Sequence, residues 1–301
     1  MEMEQPVKTN ESHPLEPAII TLFNNACEST LENMYFNTHR RQIASLFVAR
    51  DYLAIFGNPS LLQAYVAAYS PSRSLCYYSL FSSSETLKTS LQSANFIYSV
   101  GSGSGGELVG ITAALSRTTR TTTTTPTFHS QDIADYTTAL APIHTTLKTT
   151  FPSVNLTYES SVFDILSTLQ EHVSLKTECV AKADVITCFF ILNELLANSK
   201  KEFVAFVKVL VMGMKQGALL VVGDSAGSFS EVAVGTSSSK PSPQQQQQRQ
   251  PTYMVYHLLD AIKAFEIVEQ ADSQWYRYPQ GLHYPVKLNN MRHFLRIYRK
   301  L

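Results

Sequence analysis

Four closely spaced glycines mark the part of the sequence best suited to hold a ligand. The stretch "NFIYSVGSGSGGELVGITAAL" runs from Asn95 to Leu115 and has glycines at positions 101, 103, 105 and 106. An apolar run typical of a strand precedes them, and a helical pattern follows. Glycine permits positive φ angles and close backbone approach, while a helix N-terminus offers free N–H groups. We therefore expect Gly101, Ser102, Gly103 and Gly105 to bind a nucleotide cofactor.

Two cofactors fit this loop. Read as GxGxxG, it predicts a nicotinamide or flavin dinucleotide, and read as GxGxG, it predicts S-adenosylmethionine (SAM). Glu107, in the first helical turn, would hold the amino group of SAM and weighs against a pyrophosphate, although the helix dipole alone also stabilises an acid there. Asp132 ends the second predicted strand and would hydrogen-bond a ribose in either cofactor. Asp164 follows the third strand and would bind an adenine amino group, or simply lie near a helix N-terminus.

The composition indicates a globular protein in a reducing compartment. Hydrophobic residues make up 44% of the 301 residues and charged residues 16%, while 24 basic and 24 acidic residues cancel. This balance argues against non-specific coating of nucleic acid, but it allows local basic surfaces. The four cysteines lack metal-ligand spacing, so we expect buried thiols and no metal. No apolar run reaches the roughly 20 residues of a membrane span, and the polar N-terminus is unlike a secretory signal.

The periodicity predicts helices first and then a parallel sheet. Residues 16–85 have helical spacing, with Ser70 and Pro71 as a helix start. Alternating strands and helices follow from residue 86, which predicts a doubly wound α/β domain. The predicted strands are Phe96–Val100, Thr127–Asp132, Val154–Tyr158, Val185–Phe190 and Leu219–Val222. The helices between them are Glu107–Leu115, Tyr136–Thr149, Val162–Gln170 and Lys201–Met214.

The end of the chain separates the two cofactors. "EIVEQADSQWYRY" and "RHFLRIYRK" read as strands joined by a loop too short for a crossover helix, so they must be antiparallel. A dinucleotide domain would instead continue into a second parallel half. The antiparallel ending therefore favours SAM.

The sequence also resembles a known family. "AAYSPSRSLCYYSLF", "VGSGSGGEL", "QDIADY", "FFILNELLANSK", "LLVVGDSAGSFSEV" and "YPVKLNNMRHFLRIYR" occur in the order and spacing of the fungal large-subunit (25S) ribosomal RNA uridine-N3 methyltransferases. The resemblance covers roughly residues 60–301. It implies a Rossmann-like, seven-strand class I methyltransferase sheet with one antiparallel strand, SAM as cofactor, and large-subunit rRNA or a pre-ribosomal particle as partner. It also implies a nuclear or nucleolar location; the residues alone indicate a cytoplasmic one.

Among methyl acceptors, several classes lack their usual residues here. The position after the fourth strand reads "ILNELL" instead of the [DNS]PP[YF] turn of exocyclic-amine methylation. Carbon-5 methylation of a pyrimidine needs a nucleophilic cysteine, and Cys188 lies within an apolar strand. A ring nitrogen such as uridine N3 remains. Glu194 would accept its proton and Asn193 would bind a uracil carbonyl, or both residues would cap the next helix or hold the cofactor.

Substrate contacts are expected from basic and polar residues. We expect Arg73, Arg292 and Arg296 to contact RNA, and Asp224 and Ser225 either to contact substrate or to form a turn. A flipped uridine would stack on an aromatic side chain. The aromatic candidates are Trp275, Tyr276 and Tyr284, with core packing favoured for Trp275.

Together these features predict a monomeric methyltransferase with low-complexity insertions. We expect a disordered tail at 1–15, a helical subdomain at 16–85 and a methyltransferase domain at 86–301, with disordered insertions at 117–127 and 235–251. The alternatives are methylation of another RNA or a small molecule, a catalytically inactive scaffold that binds rRNA or an assembly factor, and a dinucleotide oxidoreductase.

Overall fold

A computed structural model of the chain describes residues 15–226, 232–233 and 252–301. Two predicted segments lie outside the described residues. They are the tail, as far as residue 14, and the whole Gln-rich insertion at 235–251.

Six helices precede the first strand. They are α1 (Glu16–Ala26), α2 (Glu28–Leu31), α3 (Phe36–Ala49), α4 (Tyr52–Phe56), α5 (Pro59–Ser83) and α6 (Glu85–Ser93). The helix start predicted at Ser70 is wrong, because α5 continues through Pro71. Proline cannot donate to the carbonyl four residues earlier. The hydroxyl of Tyr284 donates to that Ala67 carbonyl instead, at 2.7 Å, so the break in the ladder leaves no unpaired acceptor.

The rest of the chain forms a seven-stranded sheet with helices on both faces. Its strands are β1 (Phe96–Val100), β2 (Thr127–Asp132), β3 (Thr157–Val162), β4 (Val185–Phe189), β5 (Leu219–Ser225), β8 (Phe265–Tyr276) and β9 (Met291–Lys300). The intervening helices are α7 (Gly106–Leu115), α8 (Thr137–Thr150), α9 (Gln170–Lys182), α10 (Leu192–Asn198), α11 (Lys200–Gly213) and α12 (Val255–Asp260). A separate short pair joins β6 (Val232–Ala233) and β7 (Thr252–Tyr253).

The strand order is β3-β2-β1-β4-β5-β9-β8. The neighbours from β3 to β5 are parallel, whereas β9 runs antiparallel to both β5 and β8. This confirms the predicted seven-strand sheet with one antiparallel strand. It places the carboxyl ends of β1, β2, β4 and β5 at one edge, where open α/β sheets bind ligands.

The elements around β3 lie further along the chain than predicted. The strand expected at Val154–Tyr158 is Thr157–Val162, and the helix expected at Val162–Gln170 is Gln170–Lys182. Because β3 is an edge strand with mostly polar side chains, it lacks the apolar run that identifies the inner strands. A loop fills the interval, held by Lys176, whose ammonium donates to the carbonyls of Ile165 and Ser167 at 2.8 Å each.

The Thr-rich segment predicted as a disordered insertion at 117–127 follows a defined path. The Arg120 guanidinium donates to the carbonyls of Leu91 and Ala94, at 3.0 and 2.8 Å, which fixes the segment against the end of α6. The segment then leads into β2, which begins at Thr127. Composition alone cannot reveal such an anchor, because one arginine provides it.

The N-terminal helices share a hydrophobic core with one face of the sheet. Phe23 and Tyr77 from the helices and Val109 and Phe128 from the α/β region belong to one buried cluster. The helical region predicted at 16–85 therefore packs as part of the same unit as the sheet. Contact between α5 and α7 is especially close, because a Cβ on Gly110 would lie 2.7 Å from the Ser74 carbonyl oxygen.

Replacing Gly110 with alanine should destabilise the fold by roughly 1–3 kcal/mol, since the added methyl group forces backbone away from backbone. Gly213→Ala in α11 is the matched control: its Cβ would meet only the side chain of Val180, at 3.1 Å, and no backbone. Urea unfolding of both variants measures the difference. A midpoint for Gly110→Ala equal to that of the control would contradict the close α5–α7 packing.

Candidate active site

The glycine loop joins β1 to α7 in a conformation that requires glycine. Gly101 and Gly105 have φ angles of +67° and +77°. The N–H groups of Gly101 and Ser102 both donate to the Gln131 carbonyl, at 2.8 and 3.2 Å. The N–H of Gly103 donates to the Asp132 carboxylate at 2.9 Å. The structure therefore brings the predicted loop residues together with the predicted acid at the end of β2.

Side chains cannot replace hydrogen at these glycines. A Cβ on Gly103 would lie 2.3 Å from the Tyr136 ring, and one on Gly101 would lie 2.9 Å from Ile191. A Cβ on Gly105 would lie 2.8 Å from Leu140. The loop thus forms a backbone-lined cradle closed by neighbouring side chains.

One face of α5 holds this loop from the other side. The Ser70 hydroxyl donates to the Ser104 carbonyl at 2.8 Å, and the Ser74 hydroxyl donates to the Gly106 carbonyl at 2.9 Å. Residues four apart lie on the same face of a helix, and Arg73 points the same way. A Cβ on Gly106 would lie 3.4 Å from that of Arg73. The sequence analysis did not identify either serine as a site residue. Their only signal was the i, i+4 spacing in "SPSRS".

Arg73 therefore lies beside the glycine loop, not on an outer surface. Its Nη1 donates to the Tyr65 hydroxyl at 2.5 Å, and its Cζ lies 5.5 Å from the ring centroids of both Tyr65 and Phe190. Burial raises the pKa of four nearby carboxyl groups, and the positive charge of Arg73 opposes that rise in each. These groups belong to Glu107, Asp132, Glu194 and Asp224.

Glu107 is the most deeply enclosed of these acids. It is 3% exposed in the first turn of α7, and burial raises its pKa to about 8 against the opposing charge of Arg73. Burial also raises the pKa of Asp132, although the N–H groups of Ala134 and Gly103 stabilise its charged form. At neutral pH, Glu107 is therefore largely protonated in the ligand-free protein, even with Arg73 nearby.

The ends of β4 and β5 are joined through Asp224. Its carboxylate accepts hydrogen bonds from the N–H groups of Asn193, at 3.0 Å, and Ser225, at 2.7 Å. The Asn193 side-chain amide donates to the Ser225 carbonyl at 3.4 Å. Asp224 and Ser225 thus position the start of α10, but they are the last residues of strand β5, so the alternative that they form a turn is wrong. Their predicted contact with substrate stays a prediction.

Glu194 follows Asn193 in the first turn of α10. Burial raises its pKa to about 7, with further contributions from the negative charges of Asp224 and Asp132. Tyr52 of α4 lies near Glu194. Burial, and then the negative charge of Glu194, raise the pKa of the Tyr52 phenol. A half-buried carboxyl with this pKa can accept a proton near neutral pH.

Asp164 lies in the loop after β3. Its carboxylate accepts a hydrogen bond from the Leu166 N–H at 2.9 Å, which closes a local turn. The side chain is half-buried. Its adenine-binding role stays a prediction.

The two C-terminal arginines differ in their surroundings. Arg296 is 3% exposed, pairs with Asp260 and Asp272 at 3.2 and 2.6 Å, and lies 4.2 Å from the Tyr256 ring centroid. It is therefore a buried structural cation, and the prediction that it contacts RNA is wrong. Arg292 is exposed, and its Nε donates to the Ser273 hydroxyl at 2.8 Å.

The cysteines are buried and free, as predicted. Burial raises the pKa of the Cys188 thiol strongly, so this residue cannot supply a thiolate nucleophile. Within residues 15–226, 232–233 and 252–301, no group of three or more His, Cys, Asp or Glu side chains is arranged to hold a metal ion. No helix in these parts of the chain has the length and hydropathy that a membrane crossing requires.

Comparison with known proteins agrees with this architecture. A sequence profile of a SAM-dependent methyltransferase family matches residues 23–299. The 25S rRNA (uridine(2843)-N(3))-methyltransferase of Saccharomyces cerevisiae is 28% identical over 278 residues, which cover 83% of this chain and 74% of that protein.

Solved structures show only weak similarity. The N-methyltransferase NodS of Bradyrhizobium japonicum, in complex with S-adenosyl-L-homocysteine, has a TM-score of 0.39 at 11% identity, covering 79% of this chain and 96% of NodS. A SAM-dependent methyltransferase of Methanosarcina mazei has a TM-score of 0.40 at 15% identity, covering 70% and 93%. At such scores the strand order, not the similarity, defines the fold.

The raised pKa of Glu107 predicts how stability depends on pH. Between the unfolded pKa of about 4.5 and the folded pKa of about 8, the folded state binds more protons, so stability falls as pH rises. Glu107→Gln cannot ionise and should be more stable than wild type at pH 8.5 by roughly 2–5 kcal/mol, because each pKa unit corresponds to about 1.4 kcal/mol. At pH 4 the two should be nearly equal.

Urea unfolding of the ligand-free protein at several pH values provides the measurement. Glu85→Gln is the control, because it makes the same substitution at a side chain that is 83% exposed. Parallel stability–pH curves for wild type and Glu107→Gln would contradict the raised pKa.

Proposed function

This chain belongs to the SAM-dependent methyltransferase family, and we propose that it transfers the methyl group to N3 of a uridine in large-subunit ribosomal RNA. The yeast relative supports the substrate, since its name specifies that reaction on 25S rRNA. The observation that carries the proposal is Glu194, a carboxyl group with a pKa of about 7 at the carboxyl edge of β4.

The residues present fit SAM. The space for a Cβ at Gly101, Gly103 and Gly105 is filled by neighbouring side chains, which hold the loop backbone in one conformation at the carboxyl end of β1. We propose that Asp132 binds the ribose hydroxyls and Asp164 the adenine amino group. Glu107 would accept hydrogen bonds from the amino group of the methionine moiety, whose positive charge would favour ionisation of this carboxyl.

We also assign the carboxylate of the methionine moiety to Arg73. Its guanidinium lies beside the glycine loop, and two aromatic rings and the Tyr65 hydroxyl hold it in place. A fixed guanidinium is well suited to a carboxylate, because its N–H groups form parallel hydrogen bonds. This replaces the predicted RNA contact of Arg73 with a role in cofactor binding.

Uridine N3 carries a proton that must leave before its lone pair can form a bond to carbon. Bound SAM supplies an electrophilic methyl group on a sulfonium. The Glu194 carboxylate would take the N3 proton and so free the N3 lone pair for the methyl carbon, and S-adenosylhomocysteine would leave as the methyl group is transferred. Asn193 donates from its side-chain amide to a uracil carbonyl, which orients the base. With a pKa of about 7, Glu194 is sufficiently ionised at neutral pH to act as this base.

The product identifies the acceptor directly. Purified protein is incubated with SAM and, in parallel reactions, with large-subunit rRNA or with pre-ribosomal particles from cells that lack this gene, and the RNA is digested to nucleosides for mass spectrometry. We expect SAM-dependent 3-methyluridine. A different methylated nucleoside would replace uridine N3 as the acceptor, and SAM binding without methylation of any RNA would favour the inactive scaffold.

We propose that the substrate is a pre-ribosomal particle and that the protein acts as a monomer in the nucleolus. The yeast relative supports this location through its rRNA substrate. Localisation of a fluorescently tagged protein beside a nucleolar marker tests the location, and exclusion from the nucleolus would contradict it.

Glu194→Gln should lower kcat by roughly 10²- to 10⁴-fold, the usual contribution of a general base, while the Kd for SAM changes less than about threefold. In wild type, kcat/KM should rise with pH up to about 7 and then level off, because only the ionised carboxylate accepts the proton and kcat/KM reports the pKa of the free enzyme. Glu171→Gln is the control, because the Glu171 side chain on α9 is 75% exposed. An unchanged kcat in Glu194→Gln would exclude Glu194 as the base.

Removing the Arg73 guanidinium should weaken binding of SAM selectively. Arg73→Ala should raise the Kd for SAM by roughly 10- to 100-fold, the usual range for a hydrogen bond to a charged group, but hardly change the Kd for decarboxylated SAM. Tyr65→Phe, which removes only the hydroxyl that holds Arg73, should have a smaller effect. Calorimetry with SAM and with decarboxylated SAM measures both affinities. An equal loss of affinity for the two ligands would mean that Arg73 only stabilises the loop.

A further inference from the structure

The side chain of Trp275 is exposed on the edge strand of the sheet. β8 is the last strand in the order, and Trp275, near its carboxyl end, is 53% exposed. Core packing, which the sequence favoured for this residue, is therefore wrong. Tryptophan is enriched at interaction sites, because its ring offers a large apolar face together with a polar N–H.

Two arginines surround this indole. The Cζ of Arg277 lies 5.6 Å from the centroid of the Trp275 ring. Arg292 is paired with Trp275 across β8 and β9, so the two side chains lie on the same face of the sheet. Among the described residues, neither Arg277 nor Arg292 forms an ion pair with a carboxylate. The surface formed by Trp275, Arg277 and Arg292, here called the Trp275 surface, is thus aromatic and positively charged.

The strand register connects this surface to the candidate active site. Asp224 at the end of β5 pairs with Phe294, and Arg292, two residues earlier on β9, lies on the same face as Phe294. Adjacent strands are about 4.8 Å apart, so β8 lies about 10 Å from β5 at this edge. The Ala226 N–H, just beyond β5, donates to the Arg292 carbonyl at 3.4 Å. A nucleotide next to the target uridine can therefore reach the Trp275 surface.

We propose that the Trp275 surface binds unpaired RNA beside the target uridine, with a base stacked on the indole and phosphates at Arg277 and Arg292. This inference rests on the proposed function. Stacking of a base on an aromatic side chain and neutralisation of phosphates by arginine are the two interactions that hold single-stranded nucleic acid on proteins. The yeast relative's substrate is RNA, and a neutral protein needs such a local cationic surface to bind it.

Trp275 is the only tryptophan in the chain, so tryptophan fluorescence reports on this surface alone. Full-length protein is titrated with single-stranded oligouridine of about 12 nucleotides, a length within the usual range of single-strand sites. We expect saturable quenching by the oligonucleotide and none by SAM. A duplex RNA of the same length should quench much less, because its bases are already stacked.

Fluorescence anisotropy of labelled oligouridine measures the variants. Trp275→Ala should raise the Kd by roughly 5- to 100-fold, whereas Trp275→Phe, which keeps a ring, should recover most of the affinity. Arg292→Ala should weaken binding and reduce the slope of log K against log salt by about 1. Arg117→Ala is the control, since Arg117 is exposed after the end of α7, away from the carboxyl edge of the sheet.

Equal affinity of wild type and Trp275→Ala for oligouridine would overturn the proposal that the Trp275 surface binds RNA. Quenching by SAM but not by oligouridine would overturn it as well. The rRNA methylation assay keeps the two proposals apart. If wild type forms 3-methyluridine and Trp275→Ala has an unchanged KM for rRNA, RNA binding by the Trp275 surface is overturned but the proposed function is not. Quenching by oligouridine without any uridine methylation would overturn the function but leave the surface as an RNA-binding site.

Discussion

The contact between α5 and the glycine loop is the constraint on which the rest of the site depends. Two serine hydroxyls satisfy the carbonyls of Ser104 and Gly106, and Gly110 allows the backbones of α5 and α7 to touch. A loop with glycines at positive φ has many alternative conformations when it is not held. Hydrogen bonds from a buried helix restrict it to one, so the N-terminal helices form part of the candidate active site.

The same contact sets the charge balance of the site. Placing α5 against the loop carries Arg73 into a region with four half-buried or buried carboxyl groups, which outnumber it. Burial and mutual repulsion raise the pKa of Glu194 towards neutrality, and Arg73 limits that rise. A region with this excess of carboxyl groups favours the binding of a cation. SAM carries two positive groups, the sulfonium and the ammonium of its methionine moiety. With the roles proposed for Arg73 and Glu194, cofactor binding and base strength are coupled through one guanidinium.

Much of the fold followed from the sequence because the inner strands are apolar and glycine punctuates the first βα turn. β1 and β2 have the predicted bounds, and the antiparallel ending followed from a loop too short for a helix. The prediction failed where a single side chain decides the outcome. Tyr284 accommodates Pro71 within α5, Arg120 orders the Thr-rich segment, and Lys176 holds the loop between β3 and α9. These contacts join residues far apart in sequence or hidden in polar stretches, where periodicity carries no signal.

Arg292 and Arg296 show why site residues are harder to predict than elements. They are four residues apart on β9, so they lie on the same face of the sheet, and sequence reasoning treated them alike. The difference lies in what covers them: Tyr256 and Asp260 of α12 pack over Arg296, whereas Arg292 lies beyond α12 next to the exposed Trp275. One arginine therefore stabilises the sheet, and the other is available to a ligand. The distinction depends on a helix that begins some forty residues earlier in the chain, and no local pattern contains it.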